Sequence, residues 1–169
     1  TVGAELLDQI ARQQPLLEAK SVRLRVYGVA NSKQVLLNPN GIDLSDKAQW
    51  QADLIEHGVH YGLKELQQFV VENSLTNPVF VDCTSAQSVA DQYVDILDAG
   101  FHVVTPNKKG NTGTSQYYAD IKAAALRHKR QYLYETTVGA GLPVIDNLQK
   151  LVSAAHAFNA LHGLFSRFL

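Results

Sequence analysis

The sequence predicts an α/β fold in which a doubly wound parallel sheet carries helices on both faces. Two observations lead there. Short β-branched runs alternate along the chain with segments of helical periodicity, the pattern of strand–helix–strand units. One of those runs, PVFVDCT from Pro78 to Thr84, is almost continuously apolar, which suits a strand covered on both faces.

The elements follow in order. GAELLDQIARQQ, Gly3 to Gln14, sets Leu6, Leu7, Ile10 and Ala11 at helical spacing. SVRLRVYGVAN, Ser21 to Asn31, alternates Val22, Leu24 and Val26 with Arg23 and Arg25 and reads as a strand nearer an edge. Residues 38–61 are polar, with turn residues Asn38-Pro39-Asn40-Gly41, and read as loop plus one short helix. LKELQQFVVENS places Leu63, Leu66, Phe69 and Val70 on one helical face. After PVFVDCT a helix is expected, with Ser85 as its N-cap, Val89, Tyr93, Ile96 and Leu97 on one face and Gly100 at C′. FHVVTPN is the next strand. TSQYYADIKAAALRHKR is the next helix, and its cationic end from Arg127 to Arg130 complements the negative end of the helix dipole. QYLYETTV is a further strand, and LPVIDNLQKLV opens a further helix with Pro143 in its first turn.

Composition bounds the function. A chain of 169 residues with 46% hydrophobic and 18% charged residues is an ordinary globular chain of one-domain size. Fifteen basic against 16 acidic residues leave a net charge of -1, which is no footprint for nucleic acid or an anionic membrane surface. No apolar stretch approaches the roughly 20 residues that span a bilayer. The single cysteine, Cys83, excludes an internal disulfide, and a reducing, cytoplasmic setting is expected.

The helix at Gly3 needs an entry. In a nucleotide-binding sheet of this Rossmann type the first strand lies in the middle, and a Gly-rich turn leads from it into the first helix. Without that strand its neighbours would leave backbone groups unpaired in the sheet centre, at about 1–3 kcal/mol each if buried. The expectation is that native residues precede Thr1, so the first strand is missing from the sequence. TVG (Thr1, Val2, Gly3) would then close a G-x-G-x-x-G turn with Gly3 as its third glycine. An ordinary helix start is the other reading of the same residues.

Ligands of open parallel sheets bind outside the carboxyl ends of the strands. Here those ends read GVANSK, VDCTSAQ, VVTPNKKGN and ETTVGAG, each passing from apolar to small polar residues. An NAD site usually has Asp or Glu at the second strand end, bonding the ribose 2′-OH. This sequence has Asn31, Ser32 and Lys33, neutral donors and a cation that suit a 2′-phosphate, so NADP is favoured over NAD; a plain polar turn is the alternative. Thr84 and Ser85 are expected at a helix N-terminus, where backbone amides favour an anion or simply receive a cap. Cys83 reads as a core thiol. ETTVGAGLP, Glu135 to Pro143, combines β-branched threonines with glycines; its carbonyls could bind a hard cation or only form a strand-to-helix turn. His57 and His60 read as surface residues, and neither they nor His156 and His162 have zinc-site spacing.

Taken together, GVANSK, NPVFVDCTSAQSVADQY, GFHVVTPNKKGN and YETTVGAGLPVIDNLQ resemble homoserine dehydrogenase, most nearly the dehydrogenase portion of bifunctional aspartokinase/homoserine dehydrogenases. The resemblance runs from Thr1 to about Val152. It implies an NAD(P)-dependent reduction of aspartate 4-semialdehyde to homoserine, on the route to threonine and methionine. It also implies a homo-oligomeric full-length enzyme. By the resemblance, Thr1, Val2 and Gly3 match the end of the dinucleotide turn, and Asn31, Ser32 and Lys33 fall where the adenosine ribose or its phosphate is read. Thr84 and Ser85 match cofactor contacts. Lys108 matches the lysine beside the nicotinamide and substrate, whereas Lys109 has no matching role and reads as a solvated charge. Glu135, Val138, Ala140 and Leu142 match positions whose main-chain oxygens bind a structural sodium ion.

The departures matter too. The family's substrate domain, with its acidic residues for the substrate amine and a second, acid/base lysine, is not recognisable after LPVIDNLQKL. The tail SAAHAFNALHGLFSRFL resembles instead the family's C-terminal helix. Residues 1–152 are therefore expected to form an NAD(P)-binding domain incomplete at its N-terminus, and 153–169 a helix returning to pack on it. On this reading the chain alone binds cofactor and turns over poorly. A non-catalytic nucleotide-binding or regulatory module on the same fold is the alternative, and a structural docking domain a third.

Overall fold

The structure, a computed structural model, describes residues 1–60, 62–139 and 141–153. The expected C-terminal helix, with His156 and His162, lies outside them, as does Ala140. The chain divides into two compact units, Thr1–Pro78 and Val79–Leu169.

The first unit opens on helix α1, Val2–Ala19, capped by Thr1, whose hydroxyl accepts the Ala4 N–H at 3.3 Å. The helix outruns the expected Gln14 and passes through Pro15. It ends in a Schellman pair: Ser21 N–H donates to Glu18 O and Val22 N–H to Leu17 O, both at 2.9 Å. The strand expected over Ser21–Asn31 shrinks to β1, Gly28–Ala30. Its partner is β2, Val35–Leu37, which is antiparallel, with Gly28 opposite Leu37 and Ala30 opposite Val35. The alternation of residues 22–26 has no ladder to join among the described residues, and Val22 and Leu24 stay exposed. Asn31 turns the chain: its Oδ1 accepts the N–H groups of Lys33 and Gln34 at 2.8 and 3.0 Å. The GVANSK end is thus a hairpin turn and not the end of a parallel strand. The polar stretch after it does carry a short helix, α2, Lys47–His57, capped by Asp46 and buried through Trp50 and Leu54 beside Val35. Helix α3, Leu63–Glu72, follows. His57 and His60 are exposed, as expected.

The second unit holds the parallel sheet, in the order β3 (Val79–Val81), β4 (His102–Val104), β5 (Tyr132–Leu133). Val79 faces His102 and Val81 faces Val104, while Val103 faces Tyr132. Strand β3 is not covered on both faces, since Val79 and Val81 are exposed. The helix expected after it breaks into α4, Gln87–Ala90, and α5, Tyr93–Asp98. The N-cap of α4 is Ala86, not Ser85, and no side chain caps it. Gly100 does sit at C′, with φ 92°, and closes a second Schellman pair through Phe101 N–H to Ile96 O. Helix α6, Lys109–Thr112, follows β4, and α7, Ser115–Arg127, is capped by Thr114. Tyr93, Ile96 and Leu97 of α5, Val103 of β4 and Ile121 and Ala124 of α7 form the core. Each large apolar side chain buried there contributes about 1.5–3 kcal/mol. After β5 the expected strand gives way to a 3-10 turn, Glu135–Thr137, and helix α8, Val144–Ser153, begins one residue after Pro143.

Candidate functional site

Strands β3 and β4 are parallel neighbours, so their carboxyl ends lie at the same edge of the sheet. The loops that leave them carry Thr84 and Ser85 in one case and Lys108 in the other, all exposed.

Beneath these loops lies a buried polar cluster. Asp82, Tyr93, Thr105 and Asn107 are each no more than 4% exposed. The Asp82 carboxylate accepts three hydrogen bonds: from Thr84 N–H at 2.7 Å, from the Tyr93 hydroxyl at 2.6 Å and from Asn107 Nδ2 at 3.0 Å. No basic side chain pairs with it among the described residues, so these donors alone offset the cost of its burial. Thr105 Oγ1 lies 2.9 Å from the Tyr93 hydroxyl, donates to Asp82 O at 3.1 Å and accepts Asn107 N–H at 2.8 Å. Burial, and then the bond to Asp82, push the Tyr93 phenol well up, so it remains a donor. Cys83 is half-buried beside this cluster; burial first, then the Asp82 charge, raise its thiol, which keeps it protonated and unreactive.

Asn107 joins the two loops. Its Nδ2 also donates to Ala86 O at 3.0 Å, and its Oδ1 accepts Lys109 N–H at 3.1 Å. Lys108 is the residue between, and its own carbonyl accepts the N–H groups of Asn111 and Thr112. Gly110 permits this approach. A Cβ there would stand 2.7 Å from Tyr93 Cε2 and 2.8 Å from the Tyr132 hydroxyl.

The other expected residues lie as follows. Thr1, Val2 and Gly3 form the first turn of α1 in the first unit, where Thr1 is the cap. Asn31, Ser32 and Lys33 are exposed in the β1–β2 turn. The oxygen of the Asn31 side chain is engaged in that turn, so the side chains leave an amide NH2, a hydroxyl and an ammonium. In the loop after β5, Glu135 O accepts Val138 N–H at 3.3 Å and Leu142 O accepts Val144 N–H at 2.9 Å. The Glu135 side chain instead caps α8, accepting Ile145 N–H at 2.8 Å and Asp146 N–H at 2.9 Å.

Sequence reasoning missed Asp82, Thr105, Asn107 and Gly110, and took Tyr93 only as a residue of a helical face. One signal was available: Asp82 is a lone carboxylate inside an apolar run, and a charge buried in a strand requires donors nearby.

The homoserine dehydrogenase NAD binding domain model matches residues 1–135. A bifunctional aspartokinase/homoserine dehydrogenase of Haemophilus influenzae is 46% identical over 165 residues, covering 98% of this chain and 20% of that protein. The crystal structure of a Candida auris protein of unknown function aligns with a TM-score of 0.75 at 27% identity, covering 90% of this chain and 41% of that one. A hyperthermophilic archaeal homoserine dehydrogenase in complex with NADPH aligns with a TM-score of 0.65 over 86% of this chain and 44% of its own; at 24% identity, that likeness is one of fold. No described helix is long and apolar enough to cross a membrane.

Proposed function

The chain belongs to the homoserine dehydrogenase NAD-binding-domain family, and from that premise we propose that it is the NADP(H)-binding part of an enzyme that reduces aspartate 4-semialdehyde to homoserine. The observation that carries the reading is the placement of Lys108. It is an exposed lysine at the carboxyl end of β4, on a loop pinned to the neighbouring loop of Thr84 and Ser85. Ligands of parallel sheets bind at such ends.

Thr84 and Ser85 would contact the cofactor, and the first turn of α1, from Thr1 to Gly3, would meet its phosphates. The donors and the cation of Asn31–Lys33 suit a 2′-phosphate, which favours NADP over NAD. The bound cofactor supplies the hydride. Lys108 would lie beside the nicotinamide end and the substrate, and a positioned lysine would protonate the developing alkoxide. The carbonyls of Glu135, Val138, Ala140 and Leu142 are the proposed sodium ligands. The carbonyls of Glu135 and Leu142 each accept one backbone hydrogen bond and retain a second lone pair for a cation.

The chain spans 20% of the length of the Haemophilus relative. Substrate holding and most acid/base work would fall to a substrate domain, so the chain by itself should bind cofactor and turn over little. A homo-oligomeric, cytoplasmic parent enzyme belongs to the same reading. Calorimetry of the chain with NADPH, NADH and ATP tests it. The expected order of affinity is NADPH, then NADH, with ATP weakest. Preference for ATP, or no dinucleotide binding, would leave a regulatory nucleotide module or a docking domain.

A further inference from the structure

We propose that Asp82 and Asn107 are a positioning pair, locking the β3–α4 loop to the β4–α6 loop so that Thr84, Ser85 and Lys108 meet the dinucleotide as one preformed surface. The inference rests on the dinucleotide-binding reading and adds to it two buried residues that act through their neighbours.

One carboxylate anchors both loops. Asp82 Oδ1 holds Thr84 N–H, and Asp82 Oδ2 holds Asn107 Nδ2. The Asn107 amide is then used at both ends: Nδ2 reaches Asp82 and Ala86 O, and Oδ1 reaches Lys109 N–H. Lys108 therefore sits on a backbone arc whose preceding side chain bonds its following amide. Neither residue can be replaced by its near-isostere without conflict. In Asp82→Asn, the new amide NH2 faces the NH2 of Asn107 or, turned over, the N–H of Thr84. Flipping Asn107 only moves the conflict to Ala86 O and Lys109 N–H. In Asn107→Asp, two carboxylates meet at about hydrogen-bond distance. In the double variant, the amide at position 82 donates to the carboxylate at position 107. That carboxylate still accepts Lys109 N–H, and the Tyr93 proton can turn to Thr105 Oγ1. The bond to Ala86 O is replaced by a carboxylate oxygen facing that carbonyl, and the Tyr93 bond to position 82 is given up, so the recovery is partial. Preorganisation of this kind acts on affinity by removing the cost of ordering loops on binding.

The test titrates NADPH by its fluorescence into the 169-residue chain and the variants Asp82→Asn, Asn107→Asp and the double, at a temperature where circular dichroism shows wild-type helix content. Each single variant should weaken NADPH about tenfold or more, and the double should regain part of that loss. A merely structural role predicts wild-type affinity in any variant that folds, or losses that add in the double, and either result overturns the proposal. If a single variant does not fold, Asn107→Ala removes the bridge without adding charge. Weakened binding by that folded variant supports the pair, and unchanged binding overturns it. A wild-type chain that binds no NADPH overturns the dinucleotide reading itself and the pair with it, whereas wild-type binding with unaffected variants overturns the pair alone.

Discussion

The Glu135 carboxylate holds the backbone N–H of Ile145 at 2.8 Å and, through its other oxygen, that of Asp146 at 2.9 Å. These are donors at the second and third positions of α8, the ones a capping side chain normally takes. Pro143 precedes the helix and has no side-chain acceptor, so the cap comes from ten residues upstream of Ile145. Glu135→Ala should lower stability by about 1–2 kcal/mol. Glu135→Gln should fall between, because one of the two accepting oxygens becomes an NH2 that cannot accept. Urea unfolding followed by circular dichroism measures both.

Gly110→Ala is expected to be the more damaging change. The added methyl meets two tyrosine rings that have no slack. Tyr93 is bonded to Asp82, and the Tyr132 hydroxyl donates to Asn111 Oδ1 at 2.8 Å. Overpacking of this kind costs about 1–3 kcal/mol. A fall in the thermal midpoint, with weaker NADPH binding in the folded fraction, is the expected result. An unchanged midpoint would show that the rings give way.

The fold class was legible because the period-3.6 and β-branched segments of 79–153 do alternate, and the Tyr93-Ile96-Leu97 face buries as its spacing requires. Strand extent was less legible. Residues 22–26 carry strand alternation, but a strand exists only where another backbone pairs with it, and the sequence does not say where that backbone is. The row of polar strand ends held for VDCTSAQ and VVTPNKKGN, which leave adjacent strands. It did not hold for GVANSK, where Asn31 makes a hairpin. The positioning cluster escaped because its members are distant in sequence: Asp82 and Asn107 are 25 residues apart, and their bond is invisible until β3 and β4 pair.

Helix α7 ends with Lys129 in the left-handed region, at φ 52°, where its N–H donates to Leu126 O. The geometry is that of Gly100 after α5, held here by a residue with a Cβ. Left-handed backbone costs a non-glycine residue about 1 kcal/mol. Lys129→Gly should therefore raise the thermal midpoint by a few degrees, despite the greater freedom glycine has when unfolded.

The tyrosine cluster predicts alkaline unfolding. Rings of Tyr132 and Tyr134 stack at 4.8 Å, and Tyr93 lies 5.7 Å from Tyr132. Burial first raises all three phenols, with added contributions from Asp82 at Tyr93 and from Tyr118 at Tyr134. The unfolded chain ionises at the ordinary tyrosine value of about 10, before the folded one does. Above that pH the unfolded state binds fewer protons, so stability falls as pH rises. Below it the contribution is fully present. The phenolate absorbance of these three tyrosines should thus appear together with loss of helical signal. Tyr93→Phe removes one of these phenols and should make the pH dependence shallower, while lowering stability near neutrality because Asp82 loses a donor.

Lys108→Ala separates chemistry from fold. The side chain is exposed, and among the described residues no ion pair involves it. The bonds that shape its loop run through its carbonyl and through Asn107, all of which the substitution keeps. Stability should therefore stay within about 0.5 kcal/mol of wild type. Turnover of aspartate 4-semialdehyde by the parent enzyme should collapse, because the substitution removes the ammonium proposed to lie beside the nicotinamide end and the substrate. Steady-state kinetics and thermal unfolding of the same variant settle the matter between them. Lost fold with retained specific activity would make Lys108 structural, and retained turnover would remove it from the site.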